Sequence, residues 1–236
     1  MRREGRPHGT RRCSDMPKAV VLLSGGLDST VTLADSLRNG NETVALSFRY
    51  GQRHIRELDS AKAVADYYRI EHRIVDVDLS SFRSSLTDSS KKVEKDRENI
   101  GSDIPGTYVP ARNMIMLSVA AGLCESVDAE MIYIGANSVD YSGYPDCRKE
   151  FFDSFEQMIS KGTKAGAEGH PIKIVTPILS MTKSEIVRYG KELNAPLHLT
   201  WSCYSGGEKA CGHCDSCLLR LKGFADAGYK DEVDYK

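Results

Sequence analysis

The chain has 236 residues, with 32 Lys and Arg against 33 Asp and Glu, a formal charge of −1, and 40% hydrophobic residues. That balance suits one core-forming domain with an appendage; it excludes a disordered polymer and argues against a surface given over wholly to nucleic acid, while leaving a local basic patch possible. No clear basic strip stands out, and no nucleic-acid partner is expected. No stretch approaches the ~18–20 consecutive apolar residues of a membrane-spanning helix, so no membrane partner is expected either. The opening MRREGRPHGTRRCSD is basic and lacks the apolar run of a secretory leader, and residues 1–16 read as a loose extension, with Met16 as an alternative start.

Lys18 to Leu23, KAVVLL, is a buried-strand pattern, followed at once by SGGLDST and the helical VTLADSLRNG. Thr43 to Phe48 predicts a second strand. Ile55, Leu58, Ala61, Ala65 and Tyr68 recur at helical spacing and predict a helix over 54–68. A third strand is expected at Arg73 to Val77. Residues 79–107 are rich in Ser, Asp, Lys and Gly and read as a long surface excursion, either a lid or a solvated loop. The alternation resumes with a helix over 111–124, a strand at Met131 to Gly135, a polar loop over 136–148 and a helix over 151–159. A short strand at Lys173 to Thr176 and a helix at Lys183 to Leu193 complete it. Five strands alternating with helices imply an α/β fold with a doubly wound, mainly parallel sheet over 17–200 and a C-terminal metal-binding segment over 201–236.

A glycine turn between a buried strand and a helix is where free N–H groups and the helix dipole favour an anion. Gly25 and Gly26 permit close approach, and Ser24 and Ser29 add hydroxyl donors. The loop lacks the lysine of GxxxxGK[ST] and the spacing of GxGxxG. The string resembles the loop of pyrophosphatase-loop ATP enzymes, and the resemblance implies that Asp28 orients the loop or helps hold Mg²⁺ and that a cation stands opposite the loop for departing pyrophosphate. Lys183 is the candidate, at a helix start with Thr182 as cap and Glu185 in the first turn; without the resemblance it reads as a solvated surface lysine.

Seven cysteines are an odd number, and four of them lie within fifteen residues near the C-terminal end. Cys203, Cys211, Cys214 and Cys217 are separated by seven, two and two residues, a spacing that lets sulfurs converge on one metal. Zinc is the leading reading and an iron–sulfur cluster the alternative, in a reducing, cytoplasmic setting. A closed four-thiolate site is structural; His213 is left out of it. Cys13, Cys124 and Cys147 read as incidental, Cys147 standing out for its polar loop.

The string SGGLDS resembles the loop of pyrophosphatase-loop ATP enzymes, whose sheet is of the adenine nucleotide alpha hydrolase kind, and TKSE resembles a segment of the same enzymes. With YVPARNMIMLSVA, GANSVDYSGYPDCR, LTWSCYSGGEKACGHCDSC and LRLKGFADAG, the chain from Lys18 to about Gly228 resembles the 7-cyano-7-deazaguanine synthase family. The resemblance implies a homodimeric carbon–nitrogen ligase of the queuosine precursor pathway, with zinc at the four cysteines. It implies ATP over Leu23 to Leu33, drawing in Leu23, Ser24, Gly25, Gly26, Leu27, Asp28, Ser29, Thr30 and Leu33. The expected substrates are ATP with Mg²⁺, 7-carboxy-7-deazaguanine and ammonia. Catalysis is assigned to Ser24, Asp28, Ser29 and Lys183. In the polar loop, Tyr141 and Tyr144 are candidates to stack on the base and Asp146 to bond its edge, while Arg148 or Arg112 is a candidate to pair with the substrate carboxylate. Asn113 reads equally as a cap or a ligand. The competing readings are a tRNA-modifying enzyme that adenylylates a base and delivers sulfur, and a non-catalytic nucleotide- or zinc-binding module.

Overall fold

The structure is a computed structural model that describes residues 16–52, 54–82, 84–88, 94–96, 104, 106–139 and 144–236. The N-terminal arm with Cys13, Tyr141, and parts of the 79–107 excursion lie outside the described residues.

Five parallel strands, β1 (Lys18–Leu22), β2 (Glu42–Arg49), β3 (Glu71–Asp76), β4 (Met131–Ile134) and β5 (Lys173–Val175), form one sheet in the order β3-β2-β1-β4-β5. The connecting helices are α1 (Leu27–Arg38), α2 (Arg56–Tyr68), α3 (Arg112–Ser126), α4 (Lys149–Gly162), the short α5 (Lys164–Ala167), α6 (Lys183–Glu192) and α7 (Asp215–Ala227). β1 is a continuous apolar run because both of its faces are covered. Val20 and Leu22 enter a core with Leu46, Leu117, Ile132 and Phe152. Ala19, Val21 and Leu23 enter the opposite one with Leu33, Ala45, Ala61 and Val64.

β3 begins two residues before the expected strand and is mostly exposed, Ile74 included. Its register with β2, from Val44 opposite Glu71 to Arg49 opposite Asp76, fixes those bounds. As an edge strand it carries Glu71, Arg73 and Asp76, charges that discourage edge-to-edge pairing.

The chain runs outward from β1 through β2 to β3, then returns over α3 to place β4 on the other flank of β1. Loops leaving the C-terminal ends of β1 and β4 therefore diverge, opening a crevice where an open α/β sheet receives its ligand. The C-terminal segment closes one side of it. Phe224 of α7 packs with Ile186 and Val187 of α6. Arg220 holds Asp231 bidentately at 2.7 and 3.0 Å, and the Tyr235 hydroxyl donates to the same carboxylate. No helix among the described residues is long and apolar enough to cross a membrane.

Candidate active site

The crevice holds a cleft of about 260 Å³ whose floor is the turn after β1. In that turn the Ser24 and Ser29 hydroxyls lie 3.0 Å apart, Ser29 Oγ receives the Ser24 N–H at 3.2 Å, and Ser24 Oγ receives the Gly26 N–H at 3.3 Å. Gly26 starts α1 with no side-chain cap, which leaves the first-turn N–H groups for a ligand. Gly25 sits at φ +82°, and a Cβ there would stand 2.1 Å from the Glu57 carbonyl oxygen. Only glycine lets the loop lie this close under the start of α2.

Lys183 reaches this floor from the far side of the fold. Thr182 and Glu185 form a complete capping box that fixes the start of α6, as the sequence predicts. The Lys183 ammonium then donates to both carboxylate oxygens of Asp28 at 2.8 Å, in a pair whose side chains are 10% and 22% exposed. The backbone of α7 touches Lys183 at Gly223, where a Cβ would lie 2.3 Å from Lys183 Cγ. Asp28 thus presents a cation beside the Ser24–Ser29 loop.

Opposite the loop, Arg112 at the start of α3 faces the cleft among Tyr50, Tyr144 and Tyr204. Burial alone would lower its pKa, but the facing tyrosines and Asp146 more than offset that, and the net shift is upward, keeping the guanidinium charged. Tyr144 is buried, with its hydroxyl 2.8 Å from Thr107 Oγ1 and its ring edge-on to Tyr108. Asn113 both ties and lines: its amide donates to the Asp146 carbonyl at 3.0 Å and to Cys147 Sγ at 3.4 Å.

Other expected residues stand elsewhere. Thr30 and Leu33 are fully buried behind the loop. Asp146 is buried and does not line the cleft; its carboxylate accepts the Asn113 N–H at 3.2 Å, capping a helix whose own N-cap, Ala111, has no side-chain oxygen. Burial raises the Asp146 pKa, against the lowering effects of that N–H and Arg112. Arg148 is exposed at the start of α4, away from the lining. Cys147 does line the cleft, but burial pushes its thiol up to about 12, so it is protonated at neutral pH.

The wall contributed by α2 and the cysteine segment carries residues that periodicity did not mark. Arg56 lies 4.0 Å over the Trp201 ring and donates to the Gly207 carbonyl at 2.9 Å, joining α2 to that segment. Trp201 donates its backbone N–H to Gly25 O at 2.8 Å, so the segment is anchored on the glycine turn after β1. Glu57 also lines the cleft; desolvation pushes its carboxyl up to about 7, opposed by Arg112 and reinforced by Cys203. A usable signal existed: Tyr50 to Glu57 follow the C-terminal end of β2, the end at which such sheets bind.

Cys203, Cys211, Cys214 and Cys217 are all buried, with their sulfurs within 4.8 Å of one another. Cys211 and Cys217 Sγ are 3.9 Å apart, close to the about 3.8 Å edge of a tetrahedron with 2.3 Å metal–sulfur bonds. Backbone N–H groups of Ser205 and Cys211 point at Cys203 Sγ, and those of His213 and Cys214 at Cys211 Sγ. Cys203 is pulled well below the usual thiol range by hydrogen bonds from Cys214 and Cys217, while Cys217 is pushed up. Four sulfurs this close ionise together only around a cation, so the donor set fits a metal ion. The His213 ring bonds Asp96 at 2.9 Å and stands outside the set.

A family model described as Queuosine biosynthesis protein QueC matches residues 18–228. The chain belongs to this family. The 7-cyano-7-deazaguanine synthase of Picrophilus torridus is 54% identical over 222 residues, covering 94% of this chain and 92% of that one. That of Acetivibrio thermocellus is 55% identical over 221 residues, covering 93% and 98%. A looser likeness, at 18% identity and a TM-score of 0.44, is to the NH3-dependent NAD synthetase of Campylobacter jejuni, over 79% of this chain and 68% of that one. In this QueC family member the scaffold extends past the matched span, because Asp231, itself bonded by Tyr235, holds Arg220 on the cleft wall.

Proposed function

We propose that this chain is an ATP-dependent carbon–nitrogen ligase that converts 7-carboxy-7-deazaguanine and ammonia to 7-cyano-7-deazaguanine. The observation that supports it best is one cleft floored by the Ser24–Ser29 loop with Lys183 on Asp28, and walled opposite by Arg112 among tyrosines. A carboxylate is inert to ammonia because oxide would have to leave. The loop and Lys183 hold the outer two phosphoryls of ATP so that the α-phosphorus meets the substrate carboxylate, which Arg112 positions. Pyrophosphate departs against Lys183 and the α1 N-terminus. Ammonia then replaces AMP to give the amide. A second ATP adenylylates the amide oxygen, and elimination of AMP leaves the nitrile.

Tyr144 supplies a face for the planar base; Tyr141 is proposed for the same work, and Asp146 acts on it through Asn113 and Arg112. Mg²⁺ bound with ATP would offset the charge of its phosphates. Zinc on the four cysteines would supply structure, holding Trp201 against Gly25 and α7 against Lys183. The proposed units are residues 17–200 for ATP and 201–236 for the metal, in a cytoplasmic homodimer. Sulfur delivery is disfavoured: the described cysteine on the cleft wall is a protonated thiol. The test is product analysis with the purified protein, the carboxy-deazaguanine, MgATP and ammonium. Nitrile with AMP and pyrophosphate is expected; ADP with phosphate, or no consumption of the acid, would refute the reading.

A further inference from the structure

Ammonia has three N–H bonds and a nitrile nitrogen has none, so three protons must leave the nitrogen in turn within this cleft. Among its described lining residues the only carboxylates are Asp28 and Glu57, and no histidine is present. Both oxygens of Asp28 are occupied by Lys183 at 2.8 Å. The thiol of Cys147 and the hydroxyls of Tyr50 and Tyr144 are all pushed upward by burial. Glu57 stands in the first turn of α2, and its own main-chain carbonyl is held over Gly25, which fixes it relative to the phosphate loop. The charged and titratable groups facing it are Arg112, Tyr50 and Cys203.

We infer that Glu57 is the proton acceptor for the nitrogen in the nitrile-forming reaction, an assignment that rests on the function proposed above. In the first step the ammonia lone pair forms the C–N bond at the acyl adenylate. One N–H proton passes to the Glu57 carboxylate, and the C–O bond to AMP breaks with its electron pair on AMP. After the amide oxygen displaces pyrophosphate from the second ATP, a second N–H proton leaves to give the neutral imidate. Loss of the third accompanies cleavage of the C–O bond to AMP, and the C≡N bond forms. Between steps Glu57 returns each proton to water. A carboxylate poised near neutral suits this repeated duty, accepting a proton and releasing it with comparable ease. Arg112, beside it, holds the substrate end at which AMP departs and the nitrile forms.

The experiment separates adenylylation from nitrogen chemistry. Wild-type protein with the carboxy-deazaguanine should exchange labelled pyrophosphate into ATP without ammonia; failure of that exchange would sink the proposed function itself. Glu57→Gln should keep the exchange within about threefold while ammonia-dependent amide and nitrile formation falls by about 100-fold or more. Hydroxylamine, whose attacking nitrogen gives up its proton more readily, should still trap the acyl adenylate as the hydroxamate in this variant. Glu57→Asp, which keeps the carboxylate, should retain measurable amide formation. Amide formation by Glu57→Gln at the wild-type rate would overturn the assignment. So would loss of exchange together with amide formation in a Glu57→Gln protein that keeps the wild-type unfolding midpoint, because Glu57 would then serve adenylylation. Should Glu57→Gln fail to fold, Glu57→Asp decides: exchange intact with amide formation slowed supports the role, and both unchanged or both lost overturns it.

Discussion

Gly223→Ala tests whether the C-terminal segment positions the cation of the phosphate site. Helix propensity alone favours the change, since replacing glycine by alanine in a helix interior adds about 0.5–1 kcal/mol. The new methyl, however, would stand 2.3 Å from Lys183 Cγ and 2.9 Å from its Cβ. Ordinary carbon contact is about 3.5 Å, so Lys183 or α7 must retreat by roughly 1.2 Å. Such overpacking costs about 1–3 kcal/mol. Overlap therefore outweighs propensity, and Tm should fall by a few degrees, at about 2–4 °C per kcal/mol for a chain of this size. The larger effect is expected on turnover: a displacement of about 1 Å at a charge-stabilising group reduces the rate roughly 100-fold. The assay is substrate-dependent pyrophosphate release at saturating ATP, run on Gly223→Ala, Lys183→Ala and the double variant. Gly122→Ala is the control, an α3 glycine whose Cβ meets nothing within 4 Å; it should be neutral or stabilising. If Gly223→Ala acts through Lys183, the double variant should be no slower than Lys183→Ala. Turnover of Gly223→Ala within twofold of wild type, or fully additive losses, would refute the reasoning.

Asp28→Ala removes the carboxylate that holds Lys183 at 2.8 Å and should lower pyrophosphate release about 100-fold or more, with a stability loss of about 1–3 kcal/mol, read by steady-state kinetics and urea unfolding. Metal analysis should find one zinc per chain. Cys214→Ser should lose that metal and unfold at lower temperature before any specific effect on chemistry, whereas iron with a brown colour would contradict the zinc reading. Asp231 is buried against Arg220, with side chains 4% and 3% exposed. Desolvation would raise its pKa, but Arg220, Tyr235 and the Val233 N–H together bring it below the usual carboxylate range. Its contribution is thus present above the unfolded value of about 4 and disappears as pH falls through the lower folded value. Asp231→Asn should destabilise the protein by about 3–5 kcal/mol at pH 7 and flatten the acid limb of its stability curve, as measured by chemical unfolding from pH 7 to 3.

Local chemistry made several features readable in the sequence. The apolar run of β1 followed by SGGLDST dictated a strand, a glycine turn and a helix, because glycine torsions and helix-end N–H groups act over a few residues. The start of α6 was equally legible, since a capping box is closed between residues three apart. The cysteine spacing dictated the convergence later seen in four buried sulfurs. Tertiary structure alone decided what meets what. Asp28 and Lys183 are 155 positions apart and become partners only through the strand order that sets β1 beside β4. Asp146, expected in the polar loop to bond the base, turns one carboxylate oxygen to the start of α3, where Ala111 offers no oxygen of its own. Glu57, an unremarkable polar position in a helical pattern, faces the cleft because Gly25 lets α2 descend onto the turn after β1. Periodicity and turn chemistry describe a residue's immediate neighbours along the chain; the polarity a side chain finally meets is set by elements far away in sequence, and that is fixed only when the sheet assembles.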